Sequence, residues 1–583
     1  MLVRRLSVLP ALIVLAGLWG GWVQENQTRK TSRYLEPRFP SYLKRPRSIE
    51  DVMPYARRLA RNQSQRGGKG LGVTQSGDTA VLVTTLGADP MILEAIRRAL
   101  EERGVKPQIL YEHELVGVPQ ADAAAIKKFK EADTSERGYM EVRGYWMDDV
   151  FPDPEVPKKW LRERRPDLYD QLYPKGREEL SPRLKGLAQK LTQDSVGQAI
   201  QEYLKKHPEV RGVFWGSEDG AGLLRALHPM ESKFEGFFTY NNRWEVMSQI
   251  PSYPADVWQL SEEQTMEPIA YLDKLHVTDP EGTDLWCDLT EEAAQRWARG
   301  VYQRGHLYMF PTQATGRFAF SVVDYPALQK EWIPREPMSL ANGVIAGTNG
   351  HYGFNPRMEI HYKNGYVSEV KGGGTYGDLM REFLKYPGIN DLTFPFHKHP
   401  GYWYLYEIGL GTHPKWYRNP ALMMVDNLIP ERNRSGVIHW GTGLRLWHDP
   451  DSPTSSKAWK DFTAKYNLPR DHDFHIHNFF PTYQVHLRNT DKWVPLIERG
   501  HLSSLDNPEV RALASRYGDP NQILAEDWVP EMPGINAPGR YEDFARDPWN
   551  YSKAVIDKAV AGTYEHYYPP VRPGGTPGGK RAD

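Results

Sequence analysis

The alternation of apolar and polar positions first becomes regular near residue 80. Ala80-Val81-Leu82-Val83 is a short buried-strand run, and after it Asp89 caps an apolar stripe at Ile92, Ala95, Ile96, Ala99 and Leu100 that has helical spacing. Gly104 supplies the helix stop and Gln108-Ile109-Leu110 a second strand. This order is a β-α-β unit. The alternation returns with a helix from about Ser195 to Lys206, the strand Gly212-Val213-Phe214-Trp215 and a helix near Ala221 to Leu227. Strands separated by helices pair in parallel, so residues 76–270 are expected to form a doubly wound α/β domain. Inside it, residues 134–190 are crowded with Arg, Asp, Glu, Pro and Trp and read as an insertion or a subunit contact. From 271 to 520 the pattern changes to short strands, many glycines and aromatics, and few long helices. That predicts an α+β, barrel-like domain.

The two ends read differently. Arg4 and Arg5 precede the apolar run Leu6 to Val23, the order of a charged region followed by the core of a signal peptide, so residues 1–23 are a signal peptide or a signal anchor. Leu18 stands where a lipoprotein would need cysteine, which removes a lipid anchor. Export is expected, to a periplasmic, extracellular or anchored position on the outer side of the inner membrane, with membrane anchoring through residues 6–23 as the alternative to cleavage. Residues 24–75 lack sustained periodicity and read as an extended arm. Residues 521–583 read as a C-terminal extension whose Pro- and Gly-rich end is a mobile tail.

Composition narrows the function classes. With 40% hydrophobic and 12% aromatic residues, 583 residues can build several packed cores. Lys plus Arg number 73 against 74 for Asp plus Glu, so the overall cationic field that nucleic-acid binding uses is missing, and no nucleic-acid partner is expected. A single cysteine, Cys287, cannot form an intrachain disulfide or a thiolate cluster, which leaves any metal site to histidines and carboxylates.

Half of the eighteen histidines lie between His397 and His486, and this is where the chemistry is sought. In Asp473-Phe474-His475-Ile476-His477 polar and apolar residues alternate, so a strand here places Asp473, His475 and His477 on one face. Asp473 and His477 would lie roughly 13 Å apart, too far to share one ion. Two ligands from this strand plus a distant one are expected, and a polar strand face bonded to water or backbone is the plain alternative. Glu407 sits in the apolar and aromatic stretch Tyr404 to Thr412, where a buried carboxylate needs a cation or strong donors. His439 is flanked by apolar residues and glycines in Ser435 to Gly443. Glu431, in Pro430 to Arg434, is a candidate general base or a solvated loop residue. Tyr483, and more weakly Thr482, are candidates for orienting a substrate, with packing as the alternative for Tyr483.

Several of these stretches, taken in order, resemble a known family. Thr278-Asp279-Pro280-Glu281-Gly282-Thr283-Asp284-Leu285 resembles the "TDPxGTDL" stretch of metallo-aminopeptidases of the aminopeptidase T type and of the related 2,5-dihydroxypyridine 5,6-dioxygenases. Asn364 to Val367 with Gly372 to Gly374, Glu407 to Pro414, and Gly436 to His439 resemble later family segments, and His475-Ile476-His477 falls where the family has His-x-Asp. The resemblance implies metal ligation by His439, His475 and the residue at His477, with Glu407 as a further ligand. It departs where the aminopeptidases carry a "PxGE" glutamate for a second metal. Pro311 to Gly316 and Gly347 to His351 have no such carboxylate. One divalent ion on three histidines and Glu407 is therefore expected, Fe(II) favoured, with Zn or Mn as alternatives.

These readings give an exported mononuclear metalloenzyme resembling the ring-cleaving dioxygenases and acting on a small hydroxylated aromatic, with a small-molecule substrate and a homo-oligomeric state expected. A metallo-aminopeptidase or hydrolase, and a non-catalytic extracellular assembly protein with the same fold, are the alternatives.

Overall fold

Asp89 accepts the Met91 amide at 3.0 Å, and the stripe read from the sequence becomes the buried side of helix Pro90–Glu101. The computed structural model describes residues 33–38, 46–65, 68–137, 151, 153–173, 180–216, 234–237, 246–298, 302–303, 306–309, 339–350, 353–388, 405–416, 433–444, 464–467, 472–552 and 554. The expected signal segment 1–23, the helix near Ala221, Glu431, the segment 311–316, His351 and the tail beyond residue 554 lie outside the described residues.

Helix Pro90–Glu101 covers one side of a six-stranded sheet made of β1 (Ser64–Gln65), β2 (Gly68–Lys69), β3 (Thr79–Thr84), β4 (Lys106–Tyr111), β5 (Val210–Trp215) and β6 (Phe234–Phe237). The order is β1-β2-β6-β5-β3-β4, with β3 parallel to both β4 and β5. Successive residues of β3 face opposite sides. Ala80 and Leu82 join the cluster around that helix, while Val81 and Val83 meet Val196, Ile200 and Leu204 of helix Gln193–Lys206. A parallel sheet covered on both faces needs continuous apolar strands, and β3 is buried at every position. The α/β class expected for this part is found.

The described strands that follow pair antiparallel. They are β7 (Leu272–Thr278), β8 (Asp284–Leu289), β9 (Tyr302–Gln303), β10 (His306–Met309), β11 (Ser339–Gly350), β12 (Gly353–Lys363), β13 (Tyr366–Gly372), β14 (Leu405–Gly411), β15 (Ile438–Leu444), β16 (His472–Asn478), β17 (Thr482–Leu487), β18 (Trp493–Glu498) and β19 (His501–Leu502). One sheet runs β13-β12-β11-β8-β7-β17-β18-β19 and the other β16-β15-β14-β10-β9. Neither closes, so the expected barrel is replaced by two open sheets facing one another. The reason lies in the strand pattern. On β8, Leu285, Cys287 and Leu289 are buried while Asp284, Trp286 and Asp288 face outward, and a one-sided sheet is satisfied once a second sheet covers its apolar face. That cover comes from Ile408, Trp440, Phe474 and Ile476 of the smaller sheet, each contributing roughly 1.5–3 kcal/mol by burial.

One further stretch differs from the sequence reading, and the structure places two more. Within the expected extended arm, Ile49–Arg61 is a helix, because Val52, Met53, Ala56, Leu59 and Ala60 form a stripe that packs against helix Pro90–Glu101. Aromatics of the region 134–190 are used inside the chain, where Phe151 and Trp160 pack against Tyr386. The first part of the C-terminal extension is also fixed, with Trp528, Val529, Met532 and Phe544 buried in the core that holds the first helix.

That extension grips the smaller sheet at two points. The Lys415 ammonium, just after β14, donates to the carbonyls of Gln522 and Ala525 at 2.6 and 2.7 Å and pairs with Asp527 at 3.0 Å. Ser435, just before β15, donates to Glu526 at 2.6 Å, and the other Glu526 oxygen lies 3.0 Å from His501, which also pairs with Asp506. Burial acts to lower the His501 imidazole, but the two carboxylates outweigh it and raise its pKa to about 9. Since this lies above the ordinary histidine value, the stabilisation is complete below about pH 6.5 and is lost as pH rises through about 9. Urea unfolding should show stability falling by on the order of 2 kcal/mol across that window, and His501→Asn should flatten the slope. An unchanged slope in the variant would refute the assignment.

Candidate metal centre

Three neighbouring antiparallel strands bring the candidate ligands together. Glu407 on β14 is opposite Gly441 on β15, which is opposite His475 on β16, so carboxylate and imidazole stand in one row with a glycine between them. His439, two residues from Gly441, is the diagonal neighbour of both. Alternation puts all of these on the face away from Ile408, Trp440 and Ile476, which fill the layer between the sheets. Glu407 and His475 start roughly 10 Å apart, two strand spacings, and their side chains meet over the position where Gly441 has none.

The Oε2 atom of Glu407 lies 3.3 Å from Nε2 of His439 and 3.3 Å from Nε2 of His475. The two imidazole centroids are 4.5 Å apart, and all three side chains are buried. Burial alone would raise the Glu407 carboxyl, but the two imidazoles override it and hold the group well below the usual carboxylate range. The donor set suits a cation. Metal bonds of about 2.1 Å at angles between octahedral and tetrahedral separate adjacent donors by about 3.0–3.4 Å, the spacing found here.

The structure gathers three of the four expected ligands. His477 shares the face and is buried, yet it sits opposite His439, two strands and two residues from Glu407, with its ring 5.4 Å from that of His439. It does not join the group of Glu407, His439 and His475 whose ligand atoms lie within 4.8 Å of one another. Tyr483 is elsewhere. It lies on β17 in the larger sheet, opposite Val277 and Ile497, in the apolar core on the other side of the smaller sheet, and burial drives its hydroxyl pKa far up. Its place is that of a packing residue, the alternative reading for this position. The Thr482 hydroxyl accepts the Arg499 amide.

Residues that support the centre include several that the sequence did not mark. Lys415 and Arg434 flank the ligand strands and are buried, Arg434 donating to the Trp528 carbonyl. His413 is buried as well, and its Nδ1 accepts the Lys415 amide while burial lowers its pKa to about 3, which keeps it neutral. The only available signal was charge within short apolar segments next to Glu407 and His439.

The structure thus defines a mixed α/β protein with a buried Glu-His-His group able to hold a metal ion. No family model matches the chain, and no curated protein matches it. Among solved structures the chain is similar to the 2,5-dihydroxypyridine dioxygenase from Pseudomonas putida KT2440, at 11% identity and a TM-score of 0.33, over 78% of this chain and 98% of that one.

Proposed function

We propose that the chain is a mononuclear metalloenzyme that holds Fe(II) and cleaves the ring of a small hydroxylated aromatic compound with dioxygen. The observation that carries this reading is the convergence of one carboxylate and two imidazoles at 3.3 Å inside a buried layer. Two histidines and one carboxylate are the donor set of non-haem Fe(II) oxygenases, with positions left for exogenous ligands. The ordered motifs between 275 and 490 support the same chemistry. When bound, the iron would supply a redox-active Lewis acid able to engage dioxygen and a phenolic oxygen.

The chain's own residues have definable parts. Glu407 contributes one negative charge and His439 and His475 contribute two neutral donors, which leaves the iron site net positive and attractive to a phenolate. Burial excludes bulk water from the ligand atoms. His477 lies beside His439 on the same buried face. The reading extends to an exported, homo-oligomeric protein, supported by Arg4 and Arg5 before the apolar run Leu6 to Val23 for export and by the abundance of aromatics for assembly.

Anaerobic purification with elemental analysis tests the centre. About one iron per chain and oxygen uptake with dihydroxylated pyridines or benzenes are expected. Two metal ions per chain with release of N-terminal residues from peptides would replace this reading by the hydrolase.

A further inference from the structure

The turn between β7 and β8, residues 279–283, belongs to the larger sheet, yet two of its side chains, Asp279 and Thr283, reach the strand that carries His475 and His477 or the residues just after it. The Asp279 carboxylate accepts the Phe480 amide at 3.2 Å, just past the end of β16. The Thr283 hydroxyl lies 3.0 Å from two acceptors, Oδ1 of Asn478, the residue after His477, and the Ala346 carbonyl of β11, and it accepts the Ala346 amide at 2.9 Å. Asn478 completes the link. Its Nδ2 donates to the Ala346 carbonyl at 2.9 Å, and its Oδ1 accepts the indole N–H of Trp440 at 2.7 Å. Trp440 follows the ligand His439 on β15. Thr283, Asn478, Ala346 and Trp440 are all buried, in a layer filled mainly by apolar side chains and bridged also by the Tyr362–Thr442 hydrogen bond.

The packing of β11 on β16 is equally close. A Cβ at Gly350 would fall on the carbonyl oxygen of His475, and one at Gly347 would run into the Ile476 side chain, so both strands are held at glycine distance. A hydrogen-bonded group buried in an apolar layer specifies register, because a strand slipped by one residue would leave its donors and acceptors without partners. Apolar contacts between Ile476, Trp440 and the larger sheet do not discriminate in this way. They tolerate small displacements, and a ligand set at 3.3 Å does not.

Resting on the metal-centre reading above, we propose that Thr283 and Asn478 are positioning residues of that centre: together they lock the His475 strand to the His439 strand and to the larger sheet, and so fix the spacing of the two imidazoles around Glu407. Neither touches the ion. Their effect passes through the backbone of β15 and β16.

Thr283→Val tests this, since valine keeps the shape and removes the hydroxyl. Thr283→Ser keeps the hydroxyl, and Trp440→Phe removes the indole donor to Asn478 together with part of the buried ring. Each variant is titrated with Co(II) in the absence of oxygen, following the visible ligand-field bands, alongside a thermal melt of the apo protein. Thr283→Val is expected to weaken Co(II) binding ten- to a hundredfold and to alter the bands, Thr283→Ser to restore both to near wild type, and Trp440→Phe to shift them in the same direction. If Thr283→Val does not fold, Trp440→Phe carries the test. Lowered melting temperature with unchanged Co(II) affinity and bands would reduce the link to ordinary packing and overturn the proposal alone. A wild-type chain that takes up no Co(II) would overturn the metal-centre reading, and this proposal with it.

Discussion

His475→Ala is expected to leave a folded protein that no longer retains its metal. Removal of one of three ligands from a buried centre should weaken binding by roughly a hundredfold or more, beyond the loss typical of supporting residues. The strand itself should survive, because Phe474 and Ile476 on its other face remain in the layer between the sheets. Glu407 would then face a single imidazole, and with burial less opposed its carboxyl pKa should rise. Elemental analysis after dialysis, with far-ultraviolet circular dichroism on the same sample, reads both effects. Stoichiometric metal in the variant would remove His475 from the centre.

Gly441→Val should have an effect of similar size without touching a ligand. Gly441 occupies the row between Glu407 and His475, and these two side chains approach to 3.3 Å because nothing rises between them. Valine is a good strand former, so β15 should persist. Its branched side chain would nevertheless stand in the line of approach and force one ligand off its rotamer, an overpacking that costs about 1–3 kcal/mol. Calorimetric titration with Fe(II) under nitrogen should show binding lost in step with His475→Ala. Wild-type affinity would mean that the two ligands meet by another path.

Much of this centre was legible in the chain. The period of two along residues 473–477 put His475 and His477 on one face whatever the strand paired with, and Glu407 and His439 stood out as polar groups among apolar neighbours. Pairing register was not legible. It decides that His475 shares a row with Glu407 while His477 lies diagonal to it, and it depends on residues about 35 to 70 positions apart that compete with other alignments. The buried charges Lys415, Arg434 and Glu526 were invisible for a related reason. Charged residues are ordinarily solvated, and these are buried only because carbonyls and hydroxyls distant in sequence reach them.

By itself the sequence determined local matters: the helix stripe after Asp89, the unbroken apolar strand at 80–83, the alternation of β16 and the residue types available to bind a cation. These follow from backbone geometry within a few residues. Tertiary structure alone decided that two antiparallel sheets stack without closing, that the first part of the C-terminal extension is anchored by Trp528 and Met532, and that Glu407, His439 and His475 meet over a glycine. Each of those outcomes depends on contacts between remote segments, whose free energies are settled only when the whole chain packs.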